Sequence, residues 1–223
     1  MKRSDLNCAG ERIPVMSARS KPSMRNSASG FTLVELAVTL TIFAILTGAV
    51  APMAGTWVAN LQIRSTAEAV QNGLIRARME ALRRNRNVQF SLVALSNPAM
   101  LDNSCTLAAN ASSWVISVND PTGKCGDAPS ATVDPMNVEG LASGALAQRV
   151  TVSALQSDGA TPASSVTFDG FGRVNGGGAI ATVDVDNSAS GNDFRRLRVQ
   201  VASGGSIRMC DPLVTDSTDV RFC

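Results

Sequence analysis

The apolar residues of this chain form two successive patterns. Residues 31–51 read FTLVELAVTLTIFAILTGAVA and carry one charge, on Glu35. A helix of this length rises about 31 Å, which matches the hydrocarbon core of a bilayer. The pattern therefore predicts a single membrane-spanning helix. Six basic residues within residues 1–30 predict that this end stays in the cytoplasm, so that the rest of the chain lies on the far side of the membrane.

A secretory signal peptide is the alternative interpretation of this run. Such a signal has a shorter apolar core, and its small-residue cleavage site follows the core, whereas Ser29 and Gly30 precede the run here. Glu35 is the informative residue of the run, and its simpler interpretation is a neutral carboxylic acid near the membrane interface. A carboxylate inside a membrane helix costs several kcal/mol, so this residue requires a partner or a function.

The second pattern begins after Pro52 and Gly55, which predict a kink rather than an end. From Trp57 to about Asn85 the apolar residues recur every three or four positions, which is typical of one face of an amphipathic helix. The six arginines between residues 64 and 86 are assigned to its solvated face rather than to a nucleic-acid surface. The apolar stripe consists of Leu61, Ile63, Ala67, Val70, Leu74, Ala77 and Ala81.

Beyond Asn87 the apolar period changes to two, and clusters of Gly and Pro separate the runs. This pattern predicts short antiparallel strands. The fold class is therefore α+β, a lollipop in which a long N-terminal helix packs along an antiparallel β-sheet head. The predicted strands contain Val88, Phe90 and Leu92; Trp114, Ile116 and Val118; Val150 and Val152; Val166 and Phe168; Ile180, Val183 and Val185; and Leu197, Val199 and Val201.

The composition argues against an enzyme. The chain has no His and no Tyr, so the commonest general base and metal ligand is missing, and no catalytic set can be assembled. We expect no cofactor and no metal. Asp184, Asp186, Asn187 and Asp193 offer hard oxygen ligands for Ca²⁺, but they lack the spacing of an EF-hand and are interpreted as a polar hairpin loop.

Four cysteines follow the apolar run, an even number in a body that faces an oxidising compartment. Three pairings are possible. We favour Cys105–Cys125 and Cys210–Cys223, because each pair brackets a loop without metal-ligand spacing. Zinc is the competing interpretation, and the absence of CxxC spacing disfavours it.

Residues 30–36, GFTLVEL, resemble the class III signal of type IV pilins and pseudopilins at every position. The resemblance implies that a prepilin peptidase cuts after Gly30 and that the new amino group of Phe31 is methylated. It also implies that Glu35 acts in assembly, by neutralising the Phe31 ammonium of a neighbouring subunit. The released leader would have 30 residues, which is long for the family, so Met24 is considered as the true start.

Three further segments are similar to the GspH/FimT family of minor pilins and pseudopilins. Residues 77–85, ARMEALRRN, resemble its ARxEAxxRN stretch, residues 166–173 resemble its F-x-x-x-G turn, and residues 195–210 resemble its C-terminal hairpin. Together the segments imply four parts: a leader (1–30), a transmembrane and assembly helix (31–56), an amphipathic helix (57–86) and a periplasmic β-rich head (87–223).

The resemblance implies a non-catalytic minor pilin that helps to initiate or cap a type IV pilus. Its partners would be other minor and major pilins, the prepilin peptidase and the inner membrane. One alternative is a GspH-like pseudopilin of a type II secretion system, and another is a DNA-binding competence pilin. DNA is disfavoured because the head is net acidic and because residues 205–208, GSIR, lack the first arginine of the family's Gly-Arg-x-Arg motif. The possible DNA contacts are Arg195, Arg196, Arg198 and Arg208.

Overall fold

The computed structural model describes residues 30–144, 149–189 and 194–223, without the side chains of residues 49–54. The chain divides into two units, residues 1–46 and 47–223. The helix α1 (Leu33–Arg84) belongs to both units and continues through Pro52 and Gly55. The leader, residues 1–29, lies outside the described residues.

The apolar stripe of the amphipathic half of α1 is confirmed. Ile63, Ala67, Val70, Leu74, Ala77 and Ala81 are fully buried. Leu61 was wrongly assigned to the stripe, because it lies two residues from Ile63 and therefore about 200° around the helix. It is exposed, and Ala59 is buried in its place. Gly73 lies on the stripe where Phe90 and Trp114 leave no room for a side chain.

Within the described residues, ten strands follow the helix, and every pair of these strands is antiparallel. One sheet has the order β4-β3-β1-β6-β7, with β2 paired to β1, and the other has the order β10-β9-β8-β5. Residues of α1 and of both sheets share one apolar core, so the predicted α+β class is confirmed. The strands are β1 (Val88–Ala94), β2 (Thr106–Leu107), β3 (Ser113–Ser117), β4 (Glu139–Leu141), β5 (Val150–Leu155), β6 (Ser165–Phe168), β7 (Val174–Asn175), β8 (Thr182–Asn187), β9 (Leu197–Val201) and β10 (Ile207–Cys210).

The predicted alternation fails in β1 and β3. All five residues of β3 are buried, and Val118, which the pattern places in this strand, lies just beyond it. The reason is a second apolar cluster, in which Val93 and Val115 pack with Cys105 and Cys125. Both faces of this part of the sheet are therefore covered, one by the main core and one by the disulfide-linked loop.

Candidate processing and assembly site

The proposed cleavage point lies just before α1. Gly30, Phe31 and Thr32 precede the helix, and Phe31 is 81% exposed. The amide N–H of Glu35 donates to Thr32 Oγ1 at 3.2 Å, so Thr32 is the N-cap and Glu35 occupies the third helical position. The segment Thr-Leu-Val-Glu thus has the sequence of a capping box, and the acid lies where the helix dipole favours a negative charge.

The first half of α1 carries apolar side chains on all sides, and they are exposed to solvent within the described part of the chain. Every residue from 31 to 48 is exposed, including Leu33, Phe43 and Ile45. Across residues 30–144, 149–189 and 194–223, no helix combines the length and the hydropathy that a membrane span requires. The predicted span ends at residues 49–51, whose side chains lie outside the described part.

The C-terminal end of α1 contains the ARMEALRRN segment, which ends in a defined helix cap. Asn85 adopts a positive φ of 49°, and its N–H donates to the Leu82 carbonyl. The N–H of Arg86 donates to the Ala81 carbonyl. These two hydrogen bonds are the Schellman motif, which Asn accommodates better than most residues other than Gly. Asn85 therefore ends the helix at a defined position and turns the chain into β1.

Arg78 joins α1 to two turns of the head. Its Nε donates to the carbonyl of Gly172 at 3.0 Å, across 94 residues of sequence. Gly172 ends the F-x-x-x-G turn that begins at the buried Phe168, and it has a φ of 75°. A Cβ on Gly205, in the β9–β10 turn, would lie 1.8 Å from the Gly172 oxygen. We call Arg78, Asn85, Gly172 and Gly205 the α1 junction.

Glu80 is buried beside this junction and binds two arginines. Arg83 donates to both of its oxygens, at 2.6 and 2.8 Å, and Arg84 donates to Oε1. The hydrogen bond from Arg83 is the main reason that the pKa of Glu80 falls to about 2, and the Arg84 bond adds to this effect against the opposing effect of burial. The interpretation of all six helix arginines as solvated is therefore wrong for Arg78 and Arg84, which are partly buried.

Both favoured disulfide pairings are present in the structure. Cys105–Cys125 lies under β1 and β3, where Cys105 and Cys125 are buried with Val93 and Val115. Cys210–Cys223 ties the last described segment to the end of β10. Arg208 also donates to the Cys223 main-chain oxygen, at 2.7 Å. The C-terminal segment is therefore held by the disulfide, by this charged hydrogen bond and by a main-chain hydrogen bond from the Asp211 N–H to the Arg221 carbonyl.

The four arginines considered for DNA do not form a common surface of free guanidiniums. Arg196 pairs with Asp186, Arg198 binds Asp184 through two hydrogen bonds, and Arg208 binds the Cys223 oxygen and Gln200. Of the four, Arg195 alone has no ion pair or side-chain hydrogen bond within the described residues. Asp184 and Asp186, two of the residues considered as calcium ligands, therefore form ion pairs with Arg198 and Arg196. Asp193, a third such residue, lies outside the described residues.

Two features were missed by reasoning from sequence. The Thr32–Glu35 capping box was readable, since Thr-x-x-Glu before an apolar run is a helix-start signature. The bond from Arg78 to Gly172 had no local signal, because the glycine contributes only its main-chain oxygen.

Comparisons with known proteins agree with these features. A family model described as type II transport protein GspH matches residues 66–205, and a model of the prokaryotic N-terminal methylation motif matches residues 25–51. A comparison with curated protein sequences gave no match.

Among solved structures, the chain is similar to the type IV minor pilin FimU of Pseudomonas aeruginosa, strain PAO1, in two crystal forms. The form in space group P21 is 15% identical and covers 66% of this chain and 87% of FimU, with a TM-score of 0.38. The P65 form is 14% identical and covers 66% of this chain and 90% of FimU, with a TM-score of 0.38. The family assignment rests on the two sequence models, of which the first spans more than half of the chain. The chain belongs to the GspH family, and it is a minor pilin or pseudopilin of the type IV pilus and type II secretion class.

Proposed function

We propose that the chain is a non-catalytic minor pilin that helps to initiate or cap a type IV pilus. The observation that carries the proposal is the segment that begins at Gly30: a Gly-Phe pair that resembles a prepilin cleavage site, a capped helix start with one acid, and an apolar helical surface that is exposed within the described residues. Such a surface requires lipid before assembly and other apolar helices after it.

Processing follows from the resemblance of residues 30–36 to a prepilin signal. The peptidase would cut between Gly30 and Phe31 and methylate the new amino group. Residues 31–51 would then anchor the chain in the inner membrane in a single pass, with residues 87–223 as the periplasmic head. The partners would be other minor and major pilins. Inside the helix bundle of a filament, an unpaired Phe31 ammonium would be costly, and Glu35 of a neighbouring subunit would offset that cost.

Mass spectrometry of the membrane-extracted protein tests this proposal. We expect a mature chain whose first residue is methylated Phe31. An intact leader, or a chain that begins after Ala51, would contradict it, because the apolar segment would then be either an unprocessed anchor or a removed signal peptide.

A pseudopilin of a type II secretion system is the second candidate, and the description of the matching family model favours it. The C-terminal disulfide Cys210–Cys223 is the feature for which we prefer the pilus. Deletion of the gene separates the two. Loss of surface filaments with normal protein secretion supports the pilus, and loss of secreted proteins with normal filaments supports the pseudopilus.

A further inference from the structure

The sequence contains two Asn-Gly pairs, Asn72-Gly73 and Asn175-Gly176. In such a pair the side-chain amide carbon of Asn lies close to a main-chain nitrogen whose own residue has no Cβ to obstruct an approach. Both asparagines are exposed, so access to water does not distinguish them. The backbone around the two pairs does distinguish them.

Asn72 and Gly73 lie inside α1. The N–H of a residue within an α-helix donates to the carbonyl four residues earlier, so the nitrogen of Gly73 is engaged and the backbone of Asn72 is fixed. Gly73 also packs closely against Phe90 and Trp114. A reaction between the Asn72 side chain and this nitrogen therefore requires local opening of a packed helix.

Asn175 is the last residue of β7, and Gly176 is the first of three successive glycines. Within the described residues, neither the N–H of Gly176 nor the side-chain amide of Asn175 forms a hydrogen bond. Gly176 has a φ of 95°, and a Cβ on Gly176 or Gly177 would meet nothing within 4 Å. This turn therefore lacks the hydrogen bond and the packing that restrain the pair in α1.

We infer that Asn175 is a site of spontaneous deamidation and that the fold protects Asn72 from the same reaction. The nitrogen of Gly176 loses its proton and attacks Cγ of Asn175. The new C–N bond closes a five-membered succinimide ring, and the side-chain nitrogen leaves with that proton as ammonia. One water molecule then opens the ring at either carbonyl, which gives aspartate or isoaspartate. The reaction consumes water and needs no oxidant or reductant.

The products change the end of β7. Either one adds a carboxylate to a head that is already net acidic, and isoaspartate also lengthens the main chain by one methylene carbon. The preceding residue, Val174, donates its N–H to the carbonyl of Ser203 in the β9–β10 turn at 3.0 Å. The modification therefore lies beside a contact that joins the two sheets. This inference concerns the head and does not depend on the proposed function.

The test incubates the full chain in detergent at mildly alkaline pH and follows both pairs by peptide mapping with mass spectrometry. The Asn175 peptide should gain the mass of an amide-to-acid conversion, and part of the product should be a substrate for an isoaspartyl methyltransferase. The Asn72 peptide should convert at least about tenfold more slowly, because its reaction requires local opening of α1. Asn175→Gln is the matched control. It keeps the amide but would have to close a larger ring, so this position should not convert.

A parallel incubation in urea separates the effect of the fold from that of neighbouring residues. Once the head is unfolded, the rates at Asn72 and Asn175 should converge. Equal rates in the folded chain would contradict protection by α1. An Asn175 that converts only in urea, or not at all, would show that this position is not a deamidation site of the folded protein. An Asn72 that stays slow in urea would assign the difference to local sequence, and the inference would be wrong.

Discussion

The two halves of α1 are built from the same kinds of residues but are stabilised in different ways. In residues 59–84 one face carries apolar side chains that the head buries, while Leu61, Ile75, Met79 and Leu82 are exposed on the rest of the helix. In residues 33–48 the apolar side chains lie on every face and are all exposed. The second half is therefore covered on one face by the head, whereas the side chains of residues 33–48 are exposed within the described part of the chain. We therefore expect substitutions in the second half to change the stability of the head, and substitutions in the first half to change assembly.

The largest expected difference between the halves concerns two glycines of α1. A Cβ on Gly73 would lie 2.7 Å from Phe90 and 2.9 Å from Trp114, while a Cβ on Gly48 would meet nothing within 4 Å. Gly73→Leu should lower the free energy of unfolding by about 3 kcal/mol, because the core cannot take the added volume. Gly48→Leu is the control and should leave the unfolding of the head unchanged. Urea denaturation of the full chain in detergent, followed by near-UV circular dichroism, would measure both. Equal midpoints would contradict the packing of Gly73 against the two rings.

The next effect concerns the C-terminal segment of the head. Cys210→Ser should destabilise the head by about 3 kcal/mol, since the disulfide closes a loop over a separation of 13 residues. Residues 211–223 should also become sensitive to protease. Denaturing thiol titration is the accompanying check, because the four cysteines that follow the apolar run should all be disulfide-bonded in the wild-type protein. Four free thiols in the wild-type protein, or an unchanged rate of proteolysis in the variant, would contradict a C-terminal segment that is held by a disulfide.

A smaller effect compares two Glu–Arg pairs of α1. Glu80→Gln should cost about 2 kcal/mol, because its buried carboxylate accepts charged hydrogen bonds from Arg83 and Arg84. Glu68→Gln is the matched control. Glu68 pairs with Arg64 in an exposed position, and its loss should have no measurable effect. Equal changes in the free energy of unfolding for the two variants would show that burial does not distinguish the pairs.

The low pKa of Glu80 predicts that the stability of the head depends on pH. Because the pKa of Glu80 falls from 4.5 to about 2 on folding, its contribution is complete above the unfolded value and is lost as the pH falls through the folded value. Acid titration of stability should therefore be steeper for the wild-type chain than for Glu80→Gln between about pH 4.5 and pH 2. Parallel titrations would contradict the depressed pKa.

Local periodicity predicted most of the elements but not all of the packing. The stripe from Ile63 to Ala81 was predictable because a helix with one covered face has a period near 3.6. The strands β2, β4 and β7 were not predicted, since two or three residues are too few to show a period. The burial of both faces of β3 also had no local signal, because its second cover comes from a loop that Cys105–Cys125 holds in place.

The site was predictable where it is contiguous in sequence. Gly30, Phe31 and Glu35 stand within six residues, and their pattern alone led to the family. The residues of the α1 junction were recognisable only as members of three separate segments that resemble the family. The sequence did not predict their contacts, because the hydrogen bond from Arg78 to Gly172 and the close approach of Gly205 join residues far apart in the chain. The main-chain N–H of Glu35 also takes part in the helix cap, which is separate from the assembly role that we propose for its carboxylate.

The central claim is that the first half of α1 joins a filament through the charge of Glu35, and two variants separate this from helix capping. Glu35→Gln keeps a side chain that suits the third position of a capping box but removes the charge. Glu35→Asp keeps a negative charge near the helix N-terminus. The measurement is the amount of mature protein in sheared filaments relative to that in the membrane. We predict that Glu35→Gln is cleaved and reaches wild-type levels in the membrane but is absent from filaments, while Glu35→Asp is recovered in part. Recovery of Glu35→Gln in filaments at the wild-type ratio would contradict the claim and assign Glu35 to the helix cap alone.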